Sequence, residues 1–184
     1  STSSTFNGSS SRIYVPNFSI GNEWSYGCWL RCNSLSGNWQ AVAILNNTGG
    51  DADIQLGCYA YPTNSVFQSS ANGKYNSGIA CPHDTNWHYF FATYDGASLK
   101  TYVDGTLVAT NSVTAALLAR TNLTIGARCS GSGGSSFSNY FNGDLSDFRI
   151  YATALSATQV AELYNTAVSV ANNGTLMGYE LVEG

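Results

Sequence analysis

The feature that most constrains this chain is its spacing of tight-turn dipeptides. Asn-Gly stands at 7–8, 72–73, 142–143 and 173–174, and Asp-Gly at 95–96 and 104–105. Both dipeptides accept positive φ at little cost and favour hairpin turns. Between them lie short runs rich in β-branched and aromatic residues, at 12–15, 26–32, 40–46, 53–61, 87–94, 100–103, 106–110, 123–127 and 143–151. Strands punctuated this often leave no room for alternating strand and helix units. They predict an all-β, two-sheet antiparallel sandwich. The pattern is sharpest at 87–110, where Asp95-Gly96 and Asp104-Gly105 divide three strands of an antiparallel meander.

One short helix is predicted over 156–165. Ser156 and Gln159 form a capping box, in which each side chain bonds the other residue's backbone N–H. Leu155 and Val160 occupy the flanking staple positions, and Val160, Leu163 and Tyr164 make one apolar stripe. The Gly- and Ser-rich run at 130–140 reads as a loop and lacks the Lys of a phosphate-binding loop. Residues 1–5 read as a linker end, and 1–184 as a single domain. A start at Ser1 without Met is expected of an excised domain or a processed product.

Charge narrows the function. Only 10% of residues are charged and the net charge is −4, against about 25% charged in an average domain. Nucleic acid needs a basic footprint, which this chain lacks. No apolar run approaches the roughly 18 residues of a membrane span, so membrane insertion is not expected. Five cysteines stand at 28, 32, 58, 81 and 129. Cys28 and Cys32, four apart on one strand, would lie roughly 13 Å apart, beyond disulfide reach. Buried free thiols are the simplest reading, and Cys58–Cys81 is the pair to test for a disulfide.

Four stretches in order resemble a known family. They are Phe6-Asn7-Gly8 with Arg12-Ile13; Trp24 to Leu30; Trp87 to Gly96 followed by Tyr102-Val103-Asp104-Gly105; and Phe141 to Tyr151 with Leu155-Ser156 and Leu163-Tyr164. Together they resemble the laminin-G-like, concanavalin-A-like jelly rolls. The resemblance implies two stacked antiparallel sheets, structural roles for Trp29 and Trp87, and non-catalytic binding of glycans or proteins, often with a structural calcium. The tail from Asn172 to Glu180 resembles endings in surface and phage-tail proteins. That implies an extracellular, cell-surface or virion setting within a larger protein.

Catalytic chemistry finds little footing. Retaining glycosidases need two carboxylates about 5–5.5 Å apart, and the strand motif E-x-D-x-x-E is absent. The closest acid pairs are Asp51/Asp53 and Asp144/Asp147. His83 and His88 are the only histidines, and no nucleophile elbow accompanies them. Calcium would need six to eight oxygens, for which Asn7, Asp144 and Asp147 are candidates. Glycan binding would use aromatic faces with a few polar groups. The candidates are Trp39, Tyr61, Tyr75, Asp84, Arg128 and Tyr140. The chain is therefore expected to be a non-enzymatic module recognising a glycan or a cell-surface protein. The alternatives are an assembly domain without a glycan site and a polysaccharide-cleaving enzyme.

Overall fold

The structure is a computed structural model describing residues 3–33, 40–46, 54–61, 66–71, 74–80, 84–113, 121–129 and 134–173. At 46, 54–61, 66–71, 74–80 and 167–173 it describes the backbone alone. The strands are β1 (Ser4–Asn7), β2 (Ile13–Pro16), β3 (Trp24–Cys32), β4 (Gln40–Asn46), β5 (Ile54–Tyr61), β6 (Val66–Ala71), β7 (Lys74–Ala80), β8 (His88–Tyr94), β9 (Ser98–Val103), β10 (Thr106–Ser112), β11 (Asn122–Ile125), β12 (Arg128–Cys129), β13 (Phe137–Ser138) and β14 (Asn142–Tyr151). One helix, α1 (Ala157–Asn173), follows them.

The strands form two six-stranded sheets and a small hairpin, all antiparallel in the described pairings. Sheet A runs β1-β14-β3-β8-β9-β10, and sheet B runs β2-β11-β4-β5-β6-β7. β12 and β13 pair with each other. The all-β sandwich expected from the turn spacing is present.

Alternation decides which residues face the core. On β3, Trp24, Tyr26, Cys28, Leu30 and Cys32 point inward with Phe90, Ala92 and Tyr94 of β8. They meet Val42, Ala43 and Leu45 of β4, and Leu123 and Ile125 of β11. Trp24 packs between Tyr26 and Tyr94, with ring centroids 5.2 and 5.6 Å away. The opposite parity of β3 and β8 makes the outer face of sheet A.

Two glycines are fixed by geometry. Asp104 and Gly105 have φ of +50° and +77°, the pair of positive values that a two-residue hairpin turn requires. Gly27 of β3 lies where a Cβ would run into the Phe90 carbonyl and the Phe91 ring.

Four expectations change in extent. Ser4 and Thr5, read as linker, belong to β1 and pair with Leu145 and Asp144. β6 and β7 add two strands that the turn pattern alone did not single out. The Gly- and Ser-rich run carries the β13 strand at its end. α1 begins at the predicted place but continues to Asn173. Cys28 and Cys32 are buried free thiols, and Cys129 is buried as well. Cys58 lies on β5 where only the backbone is described, and Cys81 lies outside the described residues.

The four sheet edges are built in two ways. β1 and β2 are four residues each. β10 carries an extra residue, Val108, opposite β9, and β7 carries an extra residue opposite β6. In both cases the bulge is on the edge strand.

Candidate functional site

The outer face of sheet A is closed by α1. Its aromatic side chains Trp29, Tyr89, Phe91, Tyr102 and Tyr151 form a second cluster with Leu155, Val160, Leu163 and Tyr164. Trp29 stacks on Tyr164 at 5.6 Å, and Tyr89 on Phe91 at 5.7 Å. The start of the helix is pinned by buried Ser25. Its hydroxyl donates to the Thr153 carbonyl and accepts from the Leu155 N–H, both at 2.8 Å. The capping box forms as expected: Ser156 N–H donates to Gln159 Oε1 at 2.9 Å, and Gln159 N–H donates to Ser156 Oγ at 3.2 Å. These aromatics are packing, not platform.

One end of this face is polar. Thr5 donates to Asp144 Oδ1 at 2.7 Å, and Arg31 donates to Asp144 Oδ2 through Nη2 at 2.7 Å and Nε at 3.1 Å. The Arg31 guanidinium also lies 5.2 Å from the Trp87 ring centroid. Burial works against ionising Asp144, but the Thr5 and Arg31 hydrogen bonds and the Arg31 charge outweigh it and hold its carboxyl below the usual range.

His88 sits between two carboxylates. Its Nδ1 is 2.9 Å from Asp104 Oδ2, and its Nε2 is 3.2 Å from Asp84 Oδ1. Burial lowers its pKa, but the hydrogen bonds and charges of Asp104 and Asp84 outweigh burial and raise it. Asp104 Oδ1 also accepts the Tyr89 N–H at 2.8 Å. A ring bonded at both nitrogens has no free lone pair to activate a nucleophile. His83 lies outside the described residues.

The candidate calcium ligands are engaged with protein donors. Asn7 Oδ1 accepts the N–H groups of Ser9, Ser10 and Ser11 at 2.9–3.0 Å. Asp144 is held by Thr5 and Arg31 as above. Asp147, at φ +52° in the bulge of β14, accepts Arg149 Nε at 2.8 Å. Calcium would have to displace these donors, so the set as it stands does not fit the ion. Among the described residues no three His, Cys, Asp or Glu side chains form a group able to hold a metal.

Sheet B differs from sheet A. The principal contacts of β6 and β7 outside their own sheet are with β8, β9 and β10 across the core. Cys58 is opposite Ala43, a core residue. Gly57, Tyr59 and Tyr61 therefore have the outer parity. Register carries that parity across the sheet: Gly57 is opposite Ser70, and Ser70 is opposite Tyr75. Tyr59 is opposite Gln68, and Tyr61 is opposite Val66. Tyr59, Tyr61, Gln68, Ser70 and Tyr75 thus share the outer face of one three-strand surface. From strand spacing and rise, Tyr59 and Tyr75 are roughly 12 Å apart along it.

Of the expected ligand residues, this surface unites Tyr61 and Tyr75. Asp84 is tied to His88 and accepts the Asn86 N–H at 2.8 Å. Arg128, on β12, is opposite Ser138, and Tyr140 is half-buried between β13 and β14. Trp39, Asp51 and Asp53 lie outside the described residues. One grouping was not legible in the sequence: Tyr14 meets Phe137 edge-on at 5.6 Å, and the Arg12 guanidinium covers Phe137 at 4.0 Å. These aromatics are distant in sequence, so only the pairing of β12 with β13 over β2 brings them together.

Comparison with known proteins matches this geometry. The family model for the concanavalin A-like lectin/glucanases superfamily, of the laminin-G type, matches residues 7–161. A search of curated proteins finds no match. A heptameric SAP-like pentraxin from Limulus polyphemus superimposes with a TM-score of 0.67 at 17% identity, covering 87% of this chain and 80% of that one. Domain 4 of an extracellular arabinanase from Geobacillus stearothermophilus, solved with arabinotriose, gives 0.64 at 19%, covering 88% and 76%. The CBM40 module of a Ruminococcus gnavus IT-sialidase, bound to alpha2,3 sialyllactose, gives 0.61 at 13%, covering 77% and 82%. At these identities the likeness is one of fold.

Proposed function

The chain belongs to the concanavalin A-like lectin/glucanases superfamily, and from that premise we propose that it is a non-catalytic module that binds carbohydrate on the outer face of β5–β7. The observation that carries the reading is the strand register of β5–β7, which puts Tyr59, Tyr61 and Tyr75 on one face with Gln68 and Ser70. Tyrosine supplies an apolar ring for sugar C–H surfaces and a hydroxyl at its rim. Amides and hydroxyls beside it supply the hydrogen bonds that orient a ligand.

The absence of catalysis in this proposal rests on His88, whose ring is held at both nitrogens, and on Asp144, whose carboxylate is held by Arg31. Two of the solved neighbours, an arabinanase domain and a sialidase module, were captured with oligosaccharides, which supports a sugar ligand here. The reading also places the module outside the cell, on a cell surface or a virion, within a larger surface or phage-tail protein.

A glycan array probed with the full chain, with and without calcium, tests the reading. Retention of at least one oligosaccharide, lost in Tyr59→Ala or Tyr75→Ala, is the expected result. No retention at millimolar glycan in either condition would overturn it in favour of an assembly role.

A further inference from the structure

Charge on the described strands is segregated between the two sheets. Sheet A holds Arg31, Lys100, Asp144, Asp147 and Arg149 on its strands, together with His88. The six strands of sheet B hold a single charged side chain, Lys74. Lys74 is opposite Ala71, one position off the parity of Tyr75, so it does not share the tyrosine face. Arg12 flanks β2 at the far edge of sheet B and covers Phe137. Arg128 lies on β12, which packs beside β4 and β11. Counted in strand spacings, β2 is roughly 19 Å from β6, well over a Debye length of about 8 Å at physiological salt.

We propose that the β5–β7 face selects neutral glycans and discriminates against acidic ones. This rests on the carbohydrate reading above and names its substrate class. An anionic sugar taken onto this face would shed part of its hydration and find no strand-borne cation to replace it. A neutral sugar loses only hydroxyl hydration, which Tyr, Gln and Ser return. Discrimination here comes from a withheld partner as much as from contacts made. The choice sets this chain apart from the sialidase module it superimposes on, which was captured with an acidic trisaccharide.

The experiment titrates the full chain with arabino-, xylo-, gluco- and galacto-oligosaccharides, and with sialyllactose, hyaluronan and heparin oligosaccharides. The expected result is binding confined to the neutral group, with a Kd that changes by less than about twofold between about 20 mM and about 500 mM salt. Gln68→Lys, which places one cation on the face, is expected to confer salt-sensitive binding of acidic oligosaccharides at an unchanged Tm. Preferential binding of the acidic group by the natural chain would overturn the inference and leave the carbohydrate reading standing. Failure of Gln68→Lys to gain acidic binding, with neutral binding intact, would place the ligand off this face and overturn it too. Failure of every oligosaccharide would remove both.

Discussion

His88 shows how one side chain can tie strand, turn and solvent chemistry together. Its two carboxylate partners come from opposite sides, Asp84 just before β8 and Asp104 in the turn between β9 and β10. Because the folded state raises its pKa above the ordinary value near 6.5, the charged ring stabilises the fold fully below that value. The contribution is lost as pH rises through the higher folded-state pKa. Urea unfolding of the natural chain against His88→Gln should therefore show a stability difference that is largest in mild acid and shrinks toward alkaline pH; a pH-independent difference would refute the pairing. A second residue behaves oppositely. The buried Tyr89 hydroxyl has no hydrogen-bond partner among the described residues, so it stays desolvated without return. Tyr89→Phe is expected to leave stability unchanged or raise it by up to about 1 kcal/mol, read from the midpoint of the same urea transition. The partnership of His88 with Asp104 was not legible in the sequence. It depends on the β8–β9–β10 register bringing together residues sixteen apart.

At the scale of elements, legibility followed local signal. The β8–β9–β10 meander was readable because Asp95-Gly96 and Asp104-Gly105 mark its turns and long apolar runs fill its strands. β6 and β7, with sequences VFQSSA and KYNSGIA, carry too many small polar residues for apolar alternation to show. Their pairing is set by neighbours, in the way strand propensity is commonly overridden by context. The start of α1 was written in Ser156 and Gln159, whereas its end was not, since residues 167–173 hold no Gly or Pro to stop the helix before Gly174. The same locality predicts where the element is vulnerable. Ser25→Ala removes both bonds that pin the helix entry and strands a buried N–H and a carbonyl; it is expected to cost about 1–3 kcal/mol. Ser156→Ala, at the exposed cap, is expected to cost about 1 kcal/mol. Chemical unfolding followed by Trp fluorescence separates the two, because Trp29 reports directly on helix docking through Tyr164. Equal costs would mean that the entry clamp carries no more than the cap.

Under the proposed function the two sheets take different roles, and the sequence showed only half of that division. The fold, and the use of Trp29 in packing, could be read from the order of motifs. The separation of a helix-covered face from a tyrosine-bearing face required strand order, because Tyr61 and Tyr75 are brought into one surface by the β5–β6–β7 pairing rather than by proximity in the chain. Two of the acids expected to serve calcium, Asp144 and Asp147, are paired with Arg31 and Arg149. Chelator is accordingly expected to leave the Tm unchanged to within about 1 °C, well under the roughly 2–4 °C that accompanies a loss of 1 kcal/mol in a chain of this size. A larger drop in scanning calorimetry would show an ion bound elsewhere. One further consequence follows from the way the edges are made. A protein with a tenth of its residues charged has little mutual repulsion to keep its copies dispersed, and strand edges readily recruit other strands. Here two edges are too short to template another molecule and the other two are kinked by an extra residue. Edge protection, which many proteins obtain from charged side chains, comes in this one from short strands and backbone bulges. A sheet protected in this way needs no added charge on the face proposed for recognition.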